Sequence, residues 1–156
     1  MTPPESFATA LREARACRLC APELPLGPRP VFRLGPAARL LIVGQAPGTR
    51  AHATRLPFND PSGDRLRDWL GIDRATFYGH PRLGILPIGL CYPGRDARGA
   101  DRAPMKICAP TWHKRLRGRL RHLHLTLLVG SYAQDFYLGP RARESLGATV
   151  GAWQDY

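Results

Sequence analysis

Apolar residues form three short runs along the chain, and these runs predict the strands of a sheet. They cover residues 40–43, 83–92 and 125–130, and the second is interrupted by Pro87 and Gly89. None of the runs alternates between apolar and polar positions, which is typical of parallel strands that are covered on both faces. We therefore expect three buried, parallel strands.

Segments with helical periodicity lie around these runs. The segments predicted as helices are residues 5–16, 59–71, 111–124 and 131–139. In the second of them, Asp60 or Ser62 is expected to cap the first turn. Leu66, Trp69 and Leu70 fall on one face of that helix, which we expect to pack against the sheet.

The helix predicted over residues 111–124 is strongly basic. Its apolar positions repeat at helical spacing at Trp112, Leu116, Leu120 and Leu123, and Lys and Arg residues occupy the remaining arc. Such a basic face is either simply solvated or in contact with phosphates. The sequence leaves both interpretations open.

The alternation of strands and helices predicts an α/β architecture. This order is typical of a sandwich in which helices cover a mostly parallel sheet. With 156 residues, the chain is expected to form one domain over residues 1–156. Ligands of such sheets bind at the carboxyl ends of the strands, which is where the segment Gly44 to Gly48 follows the first strand.

The charge of the chain favours a phosphate-rich partner. There are 23 Lys and Arg residues against 12 Asp and Glu residues, and the formal net charge is +11. This excess favours nucleic acid over a membrane. A GC-rich genome would explain the preference for Arg over Lys, but it would not explain the sign of the charge.

The sequence contains no sign of a membrane segment. No run approaches the ~20 consecutive apolar residues that a membrane span needs. The first 20 residues also lack the basic and then apolar layout of a signal peptide. We therefore expect a cytoplasmic monomer with no membrane partner.

Four cysteines are expected to be thiols or metal ligands, because disulfides are rare in the cytoplasm. Cys17 and Cys20 form a Cys-x-x-Cys pair whose thiolates can reach one metal, and Cys91 and Cys108 follow singly. Sites built from four thiolates hold either structural zinc or an iron-sulfur cluster. A redox pair and inert buried thiols are the remaining alternatives.

The turn after the first strand has the sequence GQAPG, from Gly44 to Gly48. Its backbone N–H groups can bind carbonyl or phosphate oxygens, and its glycines permit a close approach. Phe58 follows at the start of the next helix, where it is either a base-stacking aromatic or part of the core. A nucleotide-hydrolase turn is a weaker alternative, because no Lys-Ser or Lys-Thr pair follows the glycines.

The segment VGQAPG, eight further residues, PF and then SGDRLRDWLG, together with the four cysteines, resembles the uracil-DNA glycosylase superfamily. The resemblance runs from about Cys17 to the end of the chain. It is strongest to the iron-sulfur-containing family-4 branch and its divergent bacterial relatives. It implies a three-layer α/β/α sandwich that extrudes a damaged base from DNA and hydrolyses its N-glycosidic bond.

The resemblance also implies roles for individual residues. The residues expected to hold the O2 edge of the base and to help position the attacking water are Gly44, Gln45, Ala46, Pro47 and Gly48. Phe58 is expected to stack on the base. The residues that match the ligands of a structural [4Fe-4S] cluster, with zinc as the alternative, are Cys17, Cys20, Cys91 and Cys108.

The chain departs from the superfamily's pattern in three places. Ala46 stands where one branch has a water-orienting Asp, and Gln45 stands where the family-4 branch has Glu. Pro87 stands where an Asn reads the edge of uracil. The chain also has no His-Pro-Ser motif, which supplies a donor to the leaving base, and we therefore expect a domain that lacks its C-terminal part.

Gln45 and Asn59 are the expected catalytic residues, and Asp60 and His52 are further candidates for orienting water. Each of the last three has a structural alternative. Asn59 and Asp60 would cap the following helix, and His52 would lie on a loop surface. The alternative function is an iron-sulfur scaffold that binds nucleic acid without catalysis.

Overall fold

Three parallel strands form the centre of the molecule. The computed structural model describes residues 5–156. The strands are β1 (Leu40–Val43), β2 (Leu83–Ile85) and β3 (Leu125–Leu128), in the order β2-β1-β3. In the register of the sheet, Leu40 lies beside both Leu83 and Leu125.

Seven α-helices surround this sheet in the described part of the chain. They are α1 (Phe7–Arg15), α2 (Thr49–Thr54), α3 (Pro61–Leu70), α4 (Arg74–Gly79), α5 (Cys108–Arg117), α6 (Ser131–Leu138) and α7 (Leu146–Gly151). Three single 3-10 turns cover Ala21–Glu23, Gly139–Arg141 and Trp153–Asp155. Within residues 5–156, no helix is long and apolar enough to cross a membrane.

The helices form one layer on each face of the sheet. Successive residues of a strand point to opposite faces, and β1 divides its side chains accordingly. Leu41 and Val43 belong to the core formed with α1, α5 and α6, whereas Ile42 belongs to the core formed with α3 and α4. The predicted α/β sandwich with a parallel sheet is thereby confirmed.

The helix α3 begins and ends where the sequence predicts. Asp60 is the cap, because its Oδ1 accepts a hydrogen bond of 2.9 Å from the backbone N–H of Gly63. Pro61 occupies the first turn, where its missing N–H costs nothing. Gly71 ends the helix in the left-handed conformation.

Two of the predicted strands differ from those observed. The second strand is predicted over residues 83–92, but β2 ends at Ile85, and Pro87 cannot donate to a ladder. The third strand is predicted to be buried, but β3 pairs only with β1, and Leu125 is 54% exposed. The residues of β3 line an open groove together with α6 and Trp153, and this leaves their side chains in part solvated.

The basic helix is shorter than predicted. It is α5, which begins at Cys108 and ends at Arg117, with Gly118 as its C-terminal cap. Leu120 is nevertheless buried, and Leu123 packs against the same core from the turns that follow. Leu120 and Leu123 therefore reach the core from turns that follow the helix, although their spacing in the sequence is helical.

Candidate active site and cysteine cluster

A cavity of about 350 Å³ opens at the carboxyl ends of the strands. Its wall includes the whole segment from Gly44 to Gly48, and Phe58 lies within the same lining. Pro87 and Val129, which follow β2 and β3, are also part of the wall. The structure thus brings together the glycine-rich turn and the aromatic residue that the sequence singles out.

The glycine-rich turn is held by the segment that follows β2. The carbonyl oxygens of Gly44 and Gln45 accept hydrogen bonds of 2.9 Å from the N–H groups of Ile88 and Gly89. The backbone N–H groups of Gln45 and Ala46 have no acceptor among residues 5–156. Two N–H donors at the cavity wall are therefore available to a bound ligand.

The side chain of Gln45 is engaged outside the turn. Its Nε2 donates a hydrogen bond of 3.1 Å to the carbonyl oxygen of Arg102. This bond ties the turn to the loop that precedes α5. The side-chain oxygen of Gln45 can still accept a hydrogen bond from water or a ligand.

Phe58 has an uncommon backbone conformation, with φ at +57°. Its ring lies against Gly44, where an added methyl group would come within 2.8 Å of the ring carbon Cζ. The ring also meets Phe77 edge to face, with 6.4 Å between centroids. The absence of a side chain at Gly44 therefore lets the ring lie directly on the first residue of the turn.

A buried arginine holds the Phe58 backbone in place. Arg67 is 5% exposed, and its guanidinium donates hydrogen bonds to the Phe58 carbonyl, at 3.2 Å, and to Asp64, at 2.5 Å. It also lies over the ring of Phe77, 5.1 Å from the centroid. Tyr78 donates a bond of 2.8 Å from its hydroxyl to the carbonyl of Pro57. Both carbonyls of the Pro57-Phe58 pair are thus anchored to α3 and α4.

The three candidates for orienting water lie in different places, and Asp60 is the one that lines the cavity. Its Oδ1 accepts hydrogen bonds from the N–H of Gly63 and from the Ser62 hydroxyl, at 2.9 and 2.5 Å. Its Oδ2 faces the glycine-rich turn, 3.9 Å from where a methyl group on Gly48 would lie. One carboxylate oxygen thus caps α3, and the other faces the wall of the cavity.

Asn59 and His52 do not line the cavity. The Asn59 amide donates a bond of 2.9 Å to the Thr54 hydroxyl, so the residue joins α2 to the following turn. His52 is buried against Tyr92 rather than exposed on a loop, and burial lowers its pKa. The structure therefore does not place either side chain beside the glycine-rich turn as a water-orienting group.

A buried histidine, which the sequence analysis did not single out, supports the floor of the cavity. His113 of α5 is 1% exposed, and its Nε2 lies 2.9 Å from the carbonyl oxygen of Pro87. Its Nδ1 lies 2.7 Å from the Tyr137 hydroxyl. Burial lowers the pKa of His113 to about 4, so the ring is neutral, with Nε2 donating to Pro87 and Nδ1 accepting from Tyr137.

The rim of the cavity contains two residues of α3, Arg65 and Trp69. The sequence predicts Trp69 on the buried face of this helix, and this prediction is wrong, because the side chain is 75% exposed. Leu66 makes the contact with the core instead. The helical spacing alone does not distinguish Trp69 from its buried neighbours.

The four cysteines surround a second, small cavity of about 20 Å³. Two of the sulfurs accept hydrogen bonds from N–H groups. The backbone of Leu90 donates to Cys108 at 3.3 Å, and the indole of Trp112 donates to Cys17 at 3.3 Å. The structure thus brings Cys17 and Cys20 together with the two distant cysteines.

Burial shapes the chemistry of these thiols. It raises the pKa of Cys91 to about 11 and that of Cys108 to about 12, and neighbouring thiols add to the effect. The pKa of Cys20 is raised by burial as well. Within residues 5–156, no group of three or more His, Cys, Asp or Glu side chains is arranged to hold a metal ion.

Comparison with known families agrees with the geometry. The family model described as the uracil DNA glycosylase superfamily matches residues 32–155. This range includes the glycine-rich turn, Phe58, Cys91 and Cys108, and it begins after Cys17 and Cys20. With most of its length matched and both predicted segments of the cavity in place, the chain belongs to the uracil DNA glycosylase superfamily.

Proposed function

We propose that the protein is a DNA repair enzyme that hydrolyses the N-glycosidic bond of uracil, or of another deaminated base, in DNA. It would act as a cytoplasmic monomer on a nucleotide extruded from the strand. The observation that carries the proposal is the cavity at the carboxyl ends of the strands, where the turn from Gly44 to Gly48 meets Phe58. The net charge of +11 supports DNA as the partner.

The unpaired N–H groups of Gln45 and Ala46 suit the leaving base. Cleavage leaves negative charge on the departing base and positive charge on the sugar. Preorganised N–H donors that are directed at the developing negative charge stabilise the transition state. The Phe58 ring, held against Gly44, would stack on the base and fix its plane.

Asp60 is the residue that we assign to the attacking water. Its Oδ2 faces the turn at the cavity wall, while its Oδ1 is used by the helix cap. The water oxygen forms a bond to the sugar carbon as the carbon-nitrogen bond to the base breaks. The water proton passes to the carboxylate of Asp60. Asp101 also lines the cavity, but it is exposed and pairs with Arg95 at 3.4 Å.

The four cysteines are proposed to hold a structural [4Fe-4S] cluster. Four thiols around one small cavity are the donor set of both a structural zinc site and an iron-sulfur cluster, and the resemblance of the sequence favours the cluster. The N–H groups directed at two of the sulfurs also suit a cluster, since such bonds stabilise its negative charge. When bound, it would join the N-terminal loop to the segment after β2.

The glycosylase proposal is tested by base release from an oligonucleotide that contains one uracil. The informative variant is Asp60→Asn, since Asn caps a helix as well as Asp but cannot accept the proton of water. We expect the single-turnover rate to fall by about 100-fold or more. Asp73→Asn is the matched control, because Asp73 caps α4 in the same way, accepting a bond of 2.7 Å from the N–H of Thr76.

Two outcomes of this experiment would contradict the proposal. No base release by the cluster-loaded wild-type protein, from single- or double-stranded DNA, would refute the glycosylase. Equal rates for Asp60→Asn and the wild type would refute the role of Asp60 alone.

The presence of the cluster is tested separately. Protein purified without oxygen is expected to be brown and to contain iron, and Cys108→Ser is expected to lose the colour. A colourless preparation that contains one zinc ion per chain would overturn the cluster in favour of the zinc alternative. This test does not depend on catalytic activity.

A second candidate function is an iron-sulfur scaffold that binds nucleic acid without cleaving it. The apolar residues Ala46 and Pro87 in the cavity wall favour it, because the resemblance of the sequence to the superfamily implies a polar side chain at each of these positions. This function predicts salt-sensitive DNA binding without base release. Turnover that depends on uracil would exclude it.

A further inference from the structure

Trp69 is the most exposed of the large apolar side chains in the described part of the chain, with 75% of its surface accessible. It lies on α3, at the rim of the cavity that contains Phe58. Because the indole is mostly exposed, it adds little hydrophobic stabilisation to the fold. Its exposed face next to a base-sized cavity is therefore available to an aromatic partner outside the protein.

Trp69 belongs to one side of α3 that faces the cavity. Ser62, Arg65 and Trp69 are spaced by three and four residues, which places them in one row along the helix, and all three line the cavity. We refer to these three residues as the α3 row. The helix beneath them is rigidly placed, because Arg67 is buried and bonded to the Phe58 carbonyl.

The charges around the α3 row suit a polyanion. Arg65 is exposed and has no ion pair among residues 5–156. Asp64, its acidic neighbour, is neutralised by Arg67 at 2.5 Å. Arg65 is the basic residue in the lining of the cavity, which also contains Asp60 and Asp101. The net charge of +11 favours the approach of a polyanion to the protein.

From these observations we infer that the α3 row is the surface on which a DNA strand docks beside the cavity. Trp69 would stack on a base next to the nucleotide that enters the cavity, and Arg65 would pair with a phosphate between them. This inference rests on the proposed function, since it places the extruded nucleotide in the cavity. It adds a contact with the neighbouring nucleotide, outside the pocket that contains Phe58.

The test measures binding of a short single-stranded oligodeoxynucleotide that contains a tetrahydrofuran abasic-site analogue, which has no base to release. Trp69→Ala is expected to weaken binding by about tenfold, within the range that stacking of one base supplies. Trp69→Phe, which keeps a ring, is expected to recover part of this loss. Trp153→Ala is the matched control, since Trp153 is 69% exposed but lies in a separate groove.

The dependence of binding on salt separates the two contacts of the α3 row. Arg65→Ala removes one phosphate contact and is expected to reduce the slope of log Kd against log salt by about 1. Trp69→Ala is expected to weaken binding at every salt concentration without changing the slope. In the Trp153→Phe protein, which keeps Trp69 and the buried Trp112, fluorescence is expected to be quenched when the oligonucleotide binds. Adding Trp69→Phe to that protein is expected to abolish the quenching.

Two results would overturn the inference. One is binding by Trp69→Ala that equals wild-type binding, and the other is an equal loss in Trp153→Ala. Failure of the glycosylase gives a different pattern, in which the wild type binds the oligonucleotide through Trp69 but releases no uracil. A protein that releases uracil with Trp69→Ala binding unchanged would refute the docking surface and leave the glycosylase intact.

Discussion

Acidification is expected to destabilise the protein through His113, which is buried between Pro87 and Tyr137. Burial lowers its pKa from an ordinary value of 6.5 to about 4, and the charge of Arg117 acts in the same direction. The unfolded chain therefore binds a proton as pH falls through about 6.5, whereas the folded protein does not until about pH 4. The contribution of His113 to stability is therefore complete above about pH 6.5 and is lost as pH falls from 6.5 to about 4.

The size of the effect follows from the two pKa values. A change from 6.5 to about 4 corresponds to about 3 kcal/mol of unfolding free energy. This is a large part of the roughly 5–15 kcal/mol that stabilises an ordinary domain. Loss of the contribution should therefore be visible well before the carboxylates begin to titrate.

The assay is urea denaturation of the wild type and His113→Gln at about pH 7.5 and about pH 4.5. Gln can still donate to the Pro87 carbonyl but does not titrate. We expect the variant to be less stable at the higher pH, by about 1 kcal/mol for the lost bond to Tyr137. At the lower pH, the difference in unfolding free energy between the two proteins should close or reverse. Only the wild type contains the buried histidine, whose protonation in the unfolded chain lowers stability.

His122→Gln is the control, since it makes the same substitution at an exposed position. His52 is also buried, but it is present in all three proteins and cancels in the comparison. A free-energy difference between the wild type and His113→Gln that is the same at both pH values would refute the reasoning.

Three further substitutions test the packing around the cavity and the N-terminal helix. Gly63→Ala would place a methyl group against the Phe58 carbonyl, and urea denaturation should show a loss of about 1–3 kcal/mol. Phe58→Leu should leave stability almost unchanged but lower the single-turnover rate of base release about tenfold through lost stacking, and an unchanged rate would argue against base contact. Glu5→Gln removes the carboxylate that Arg115 and Arg119 share, and Arg115 keeps its ion pair with Glu13. The melting temperature should fall at low salt and fall less at high salt, and equal losses at both would exclude an electrostatic cause.

The fold is predictable from the sequence where local signals decide it. The run that forms β1 and the cap, first turn and C-terminal glycine of α3 are local, and the structure has them where the sequence predicts. The end of α5 at Arg117 is less evident, because Leu120 and Leu123 keep helical spacing within turns. The exposure of β3 depends on how closely the elements that follow it cover the strand, which its own residues do not specify.

The candidate site is predictable in part. The position of the glycine-rich turn follows from the rule that ligands bind at the carboxyl ends of parallel strands. The positions of the Asn59 and His52 side chains depend on the direction of α2 after Gly48. The sequence does not specify this direction. The burial of His113 and the exposure of Trp69 depend on long-range packing. Tyr137 of α6 helps to bury His113, whereas Leu66 makes the contact between α3 and the core and leaves Trp69 exposed.

The fixed position of Phe58 has a thermodynamic consequence for ligand binding. Its backbone is held in a left-handed conformation, its carbonyl is bonded to Arg67, and its ring lies on Gly44. The side chain is therefore ordered when the chain folds, and a planar ligand that stacks on it loses little further protein entropy. Calorimetry should accordingly show a smaller loss of entropy on binding than the ordering of a mobile aromatic side chain would add.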